Sequence, residues 1–206
     1  MGLTSLFLEV ENKNVFILGT GEVATRRANR FLDKGANVIL AGNKINNELI
    51  EKGAILKPLK NLEELVEWSD IVILASGDEE LSEYIASISE GKLLNRADKP
   101  EKGNVIVPTS FLIDDIEISI FTNGKSPLMA RKLRMKIQET ITKKDLLELQ
   151  LQEHARNLLK EKTENQKIRK EFLYNLEENE EIQDLLKEEK LEEAKKLAES
   201  LIDKMD

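Results

Sequence analysis

The chain is 206 residues long, 40% hydrophobic and 34% charged, with a formal net charge of −8; this length accommodates one sizeable domain plus a smaller one around a true core. With no cysteine and a single histidine it excludes disulfides, thiolate metal sites and a multi-histidine centre within one chain, so no metal site is expected. The acidic balance disfavours non-specific nucleic-acid binding, no apolar run approaches the roughly 20 residues of a membrane span, and the N-terminus lacks the tracts of a secretory signal, so the expectation is a soluble, cytoplasmic protein with no nucleic-acid or membrane partner.

In chain order, residues 15–19 are a short apolar run that reads as a buried strand. Residues 22–34 follow as a helix with Val23, Ala24, Ala28, Phe31 and Leu32 facing inward, and Gly35 ends it as a C-cap. A second strand is expected over 37–41, a short helix around Leu49 and Ile50, and a third strand over 54–57. Residues 62–68 read as helix, 70–75 ("DIVILA") as the clearest buried strand, 79–88 as helix and 92–95 as a short strand. Strands alternating with helices imply a parallel sheet covered on both faces.

From Asn104 the pattern changes. "NVIVP" and "IEISIFT" read as two strands with no helix between them, the second alternating Ile116, Ile118 and Ile120 against Glu117, Ser119 and Phe121. No glycine follows Gly124 and no proline follows Pro127, a composition boundary beyond which the chain reads as helical. Ser126 is a good N-cap and Pro127 fits the first helical position. Further on, Leu146, Leu149, Leu158, Leu159, Ile168, Phe172, Leu173 and Leu176 are spaced as one apolar side of helices, and the last thirty or so residues suggest a final helical pair in antiparallel packing.

Gly19, Gly21 and Ala24 form G-x-G-x-x-A directly after a strand and at the start of a helix. The first glycine permits the tight turn, the second lets a pyrophosphate approach the backbone, and the small third residue allows close helix–strand packing. The free N–H groups of the helix start, at Glu22, Val23 and Ala24, attract phosphate. A plain strand-to-helix corner is the alternative reading. The acid that often ends the second strand to bind the adenine ribose is missing; Ala41-Gly42-Asn43-Lys44 stands there. Asn43 offers hydrogen bonds to the ribose and Lys44 leaves NADP open beside NAD.

Several blocks together resemble the precorrin-2 dehydrogenase family, which also forms the N-terminal module of siroheme synthases. The segment "LFLEVENKNVFILGTGEVATRRANRFLDKGANV" is similar to its start. "LASGDEELSEYI" resembles its block after the fourth strand, and "LLNRADKPEKGNVIVP" its Asn-x-x-Asp-x-Pro loop. "IEISIFTNGKSPLMARKLRMKIQ" resembles its most specific block, which ordinary dinucleotide enzymes lack. The likeness covers about residues 3–142. Thr20, Gly77 and Ser82 depart from it; Gly77 removes a hydroxyl, for which Ser76 is the substitute.

The resemblance implies an α/β protein: a Rossmann-like, NAD-binding parallel sheet over residues 1–103, a small α+β dimerisation region of strand pair plus helix over 104–142, and a helical module over 143–206. It implies oxidation of precorrin-2 to sirohydrochlorin with NAD as hydride acceptor, in a homodimer, with ferrous iron insertion as an additional activity of some members. Asp98, a turn aspartate before a proline on its own reading, becomes the catalytic candidate. Its carboxylate would take a proton as hydride leaves or assist pyrrole deprotonation. Asn95, placed with the substrate-binding residues, either holds that loop or touches the nicotinamide amide.

Lys125, Arg131, Lys132, Arg134 and Lys136 form a basic stretch in an acidic protein. It is either a solvated helix face or a cationic contact for a substrate bearing eight carboxylates, with Arg131 and Arg134 sharing a face and the N–H groups after Ser126 as a further carboxylate site. Arg26 and Arg27 lie one turn past the glycines, as a surface pair or a ligand contact. His154 reads as a surface histidine. A nucleotide-sensing regulatory module and a structural adaptor are the readings from other classes.

Overall fold

The computed structural model describes residues 2–205, and the chain divides into two compact units, Met1–Pro108 and Thr109–Asp206. The strand pair, the basic helix and the C-terminal helices all fall in the second unit.

In the first unit β1 (Asn14–Leu18), β2 (Asn37–Ala41), β3 (Ile55–Lys57), β4 (Ile71–Leu74) and β5 (Leu93–Arg96) make a parallel sheet ordered β3-β2-β1-β4-β5. The crossovers are α1 (Glu22–Leu32), α2 (Asn47–Glu51), α3 (Leu62–Trp68) and α4 (Glu79–Ser87). Because helices cover both faces, the central strands are continuous apolar runs, yet residue parity still sorts them. Val15, Ile17, Val38, Leu40, Ile71 and Ile73 pack with Ala24, Ala28 and Phe31 of α1 and Leu49 of α2. Phe16, Leu18, Val72 and Leu74 pack with Leu62 and Val66 of α3 and Ile85 of α4. Register brings the carboxyl ends level: Leu18 pairs with Ala41 and Leu74, and Leu74 with Arg96. Strand order reverses between β1 and β4, the point at which such sheets open a ligand crevice.

Gly35 ends α1 in the left-handed region at φ +78°. Its N–H donates to Leu32 O and that of Ala36 to Phe31 O, both at 3.0 Å, the paired bonds of a Schellman motif. Val23, expected inward, is exposed: the sheet-facing positions of α1 are Ala24, Ala28 and Phe31, and Val23 precedes that stripe by one residue.

Residues 104–108, expected as a strand, carry none. They are tied along β5 instead, the N–H groups of Asn104 and Val105 donating to Leu94 O at 3.0 and 3.1 Å and Asn104 Oδ1 accepting from Leu94 N–H at 2.7 Å. The strand comes one segment later, at β6 (Thr109–Ile113), antiparallel to β7 (Ile116–Ile120). A two-residue turn joins them, with Asp114 at φ +52°, a conformation aspartate tolerates.

The second unit continues with α5 (Pro127–Thr140), α6 (Lys143–Lys162), α7 (Gln166–Glu177), α8 (Glu180–Lys187) and α9 (Leu191–Asp203). Ser126 Oγ caps α5 by accepting from Met129 N–H at 3.1 Å, with Pro127 in the first turn. A capping box of Thr142 and Asp145 opens α6. The helical core joins Leu147, Leu151, Ala155 and Leu159 of α6 to Leu176, Ile182, Leu186, Ala194, Ala198 and Ile202. The expected stripe is thus corrected: Leu149 and Ile168 are exposed, and α6 buries the i, i+4 row beginning at Leu147. Alanines at 155, 194 and 198 let α6 and α9 approach closely.

Candidate nucleotide and substrate site

The turn after β1 passes so near β4 that a Cβ on Gly19 would lie 2.5 Å from Ala75 O, and its φ is +112°. Only glycine fits on both counts. Gly19 N–H donates to Ala41 O and Ala75 N–H to Leu18 O, each at 2.9 Å, so the turn is fastened to the ends of β2 and β4. Gly42 makes room for Thr20: a Cβ at Gly42 would meet Thr20 Cγ2 at 2.6 Å.

Gly21 is the N-cap of α1, and a Cβ there would meet nothing within 4 Å. No side chain caps this helix, whereas Asn46 caps α2 and Asp78 caps α4. The N–H groups of Glu22, Val23 and Ala24 precede the first i→i−4 bond, which Thr25 N–H makes to Gly21 O at 2.9 Å. An open backbone edge, free donors and the positive end of the helix dipole suit a pyrophosphate. Ala24 is fully buried in the α1-side core with Val15 and Ile17, as the third position of the motif requires, while Glu22 and Val23 flank the opening. Asn43 and Lys44 are exposed just past β2. Ser76, half-buried just past β4, uses its Oγ to accept from Asp78 N–H at 3.0 Å.

Asn95 is 2% exposed. Its Oδ1 accepts from Arg27 Nη1 and its Nδ2 donates to Val105 O at 2.8 Å, so it ties α1 and the loop after β5 together. Arg27 is therefore an inward residue rather than one of a surface pair, and its Nε has no hydrogen-bond partner among the described residues. Burial, and then its neighbours Arg26 and Arg30, lower its pKa to about 10.

Asp98 stands two residues beyond β5, at the same sheet edge as Gly19. β4 lies between β1 and β5, so the two residues follow strands that are next-but-one neighbours. Its carboxylate is gripped by Arg96, Nε to Oδ1 at 3.1 Å and Nη2 to Oδ2 at 2.5 Å. Arg96 is 1% exposed and also contacts Glu83 Oε2 through Nη1 at 3.1 Å. Glu83 in turn holds Lys99 and Lys102, each at 3.0 Å, and Lys99 pairs with Glu79. The Arg96 fork holds the Asp98 carboxyl below the usual carboxylate range. Arg96, Lys102 and Lys99 lower that of Glu83 to about 2. Sequence reasoning missed Arg96; its parity with Leu94, on the α3–α4 side of the sheet, was the available signal, because it puts a charge where an apolar residue belongs.

In the second unit Ser126 spends its hydroxyl on the α5 cap. Arg131 and Arg134 are exposed on α5; Arg134 lies 5.6 Å from the Phe111 ring centroid and donates to Gln138 Oε1 at 3.3 Å. His154 Nε2 meets Glu199 Oε1 at 2.8 Å. Among the described residues no group of three or more His, Cys, Asp or Glu has a metal-holding arrangement, and no helix is long and apolar enough to cross a membrane.

A family model described as "Putative NAD(P)-binding" matches residues 6–109. A protein of Methanocaldococcus jannaschii named "Putative precorrin-2 dehydrogenase" is 28% identical over 196 residues, covering 88% of this chain and 93% of that one. The precorrin-2 dehydrogenase of Methanosarcina barkeri is 27% identical, covering 85% and 83%. The siroheme synthase of Tolumonas auensis is 27% identical over 84% of this chain, which accounts for 38% of its length. Among solved structures, SirC, a precorrin-2 dehydrogenase, superposes with a TM-score of 0.79 at 21% identity, covering 96% of this chain and all of that one. The open helix start after Gly19 and Gly21 lies inside the matched segment, and the chain belongs to this NAD(P)-binding family with the fold of a precorrin-2 dehydrogenase.

Proposed function

We propose that the protein is a pyridine-nucleotide-dependent dehydrogenase that oxidises precorrin-2 to sirohydrochlorin, with NAD as the preferred cofactor. The observation that carries the reading is the level carboxyl edge of β1, β4 and β5, which sets an uncapped, phosphate-ready helix start and a fixed carboxylate on one rim. The names of the relatives support the substrate assignment.

Gly19, Gly21 and the N–H groups of Glu22, Val23 and Ala24 bind the pyrophosphate, Asn43 and Lys44 face the adenine ribose, and Ser76 borders the nicotinamide end. The nicotinamide, when bound, accepts the hydride that leaves precorrin-2. Loss of hydride leaves positive charge on the macrocycle, and Asp98, ionised well below neutral pH, stabilises that charge as a fixed anion. A carboxyl so depressed is a weak proton acceptor, so water takes the proton. Asn95 keeps the Asp98 loop in place. Arg131 and Arg134 supply cationic contacts of the kind a polycarboxylate recognises, the capped Ser126 helix start adds only the Leu128 N–H, and the exposed apolar residues of α5 support a homodimer.

The test is an anaerobic assay of the purified protein with precorrin-2 and either NAD or NADP. Stoichiometric formation of reduced nucleotide and sirohydrochlorin, faster with NAD, is expected; no nucleotide reduction would reject the assignment. Adding ferrous iron to the same assay reads out chelatase activity directly.

A further inference from the structure

We infer that Arg96 is a positioning residue for Asp98, a buried guanidinium that fixes the Asp98 carboxylate at the sheet edge and is itself braced by Glu83 of α4. This rests on the reading of Asp98 as the anion at the substrate. Arg96 occupies the last position of β5, level with Leu74 of β4, on the side of the sheet where Leu74 and Leu94 join the apolar cluster beneath α3 and α4. An apolar side chain there would cost less, since a buried guanidinium must be desolvated and fully matched. The match is present: two donors in a fork to Asp98 and a third to Glu83.

The geometry is directional. Planar guanidinium presents its Nε and Nη2 donors in one rigid plane, so both Asp98 oxygens are located at once, which a lysine ammonium does not do. The remaining charges around the pair belong to Glu79 and Glu83 of α4 and to Lys99 and Lys102 of the Pro100 turn, and they pair among themselves through Glu83 and Lys99. Arg96 is the cation that the structure places on Asp98 itself. The depressed ionisation of Asp98 follows from that contact and agrees with it.

The test compares Arg96→Met and Arg96→Lys with the wild type in two readouts. The first is a carbon-13 titration of the Asp98 carboxyl, its resonance identified by its absence in Asp98→Asn. The second is anaerobic turnover of precorrin-2 with NAD. For Arg96→Met the carboxyl pKa rises, because the Arg96 hydrogen bonds that hold it down are gone, kcat falls on the order of 100-fold, and the KM for NAD stays unchanged. Arg96→Lys, which keeps charge and volume, recovers part of both effects and serves alone if the methionine variant does not fold. An Asp98 titration that does not move in a folded variant, or one that moves while kcat holds, overturns the inference. An inactive wild type rejects the proposed reaction instead, and the titration still reads the Arg96–Asp98 coupling.

Discussion

A single methyl group added at Gly19 and at Gly21 has opposite consequences. At Gly19 it enters a backbone conformation closed to other residues and drives into the Ala75 carbonyl. Gly19→Ala is expected to lose about 1–3 kcal/mol from the backbone strain, more with the clash, seen as a lower Tm. At Gly21 the methyl meets no protein atom and φ is −76°, so Gly21→Ala changes stability by less than about 1 kcal/mol. It nevertheless occupies the space a pyrophosphate needs, and NADH titration should show weakened binding in a protein that melts normally. Equal NADH affinity in Gly21→Ala and wild type would move the cofactor away from this turn. Asp98→Ala is expected to keep NADH affinity while kcat falls, because the residue lies beyond the glycine turn on the sheet edge. The glycine spacing was legible because its chemistry is local. Arg96 was not, because its fork closes on Asp98 only after the chain turns beyond β5. Asn95 was legible only as one of two roles, and the partner that settles its geometry, Arg27, lies on a helix far away in sequence.

At the scale of elements, α4 is held to the end of β5 by charge. Glu83 accepts from Arg96, Lys99 and Lys102, which lowers its pKa from 4.5 to about 2 in the folded state. A carboxyl whose folded pKa is depressed contributes stability above its unfolded pKa and loses it as pH falls through the folded one. The clamp is therefore intact above about pH 4.5 and is lost toward about pH 2. Glu83→Gln should flatten the pH dependence of stability within that window, with Trp68 fluorescence as the probe; an unchanged slope would show that the contact contributes nothing in solution. The parallel sheet could be read from sequence because its apolar runs alternate with amphipathic helical stretches, a pattern that implies strands covered on both faces. Residues 104–108 misled because an apolar run says nothing about its partner, and Asn104 satisfies the edge of β5 without a ladder. The stripe of α6 misled because leucine stands at 146, 147, 149 and 151, and the packing of α7, α8 and α9 against it decides which row faces in. Leu151→Ala, at a position 1% exposed in that core, is expected to cost about 2–5 kcal/mol by chemical denaturation.

For the whole molecule, the two units each have their own apolar core, and the surface left over on the second is uneven. On α5, Leu128 is 61% exposed and Met135 53%, seven residues apart and so on one face, while the exposed Met129 and Leu133 lie about 100–140° further round the helix. Leu112 of β6 is exposed as well, as is Phe121 just past β7. Scattered apolar side chains need no explanation, but a row on one helix face is what an interface between subunits leaves when a protomer is viewed by itself. A stable homodimer buries about 1,200–2,000 Å² in all, more than one face of a 14-residue helix offers, so the contact extends to neighbouring surface as well. Charge placed in the row should then be costly to association and nearly neutral for the fold, since neither Leu128 nor Met135 belongs to the core cluster of this unit. Leu128→Glu combined with Met135→Glu is therefore expected to sediment as a monomer at concentrations where the wild type is a dimer, with an unchanged far-ultraviolet spectrum. A variant that remains a dimer would put the subunit contact elsewhere, and a wild type that is already monomeric would leave the row to some other partner.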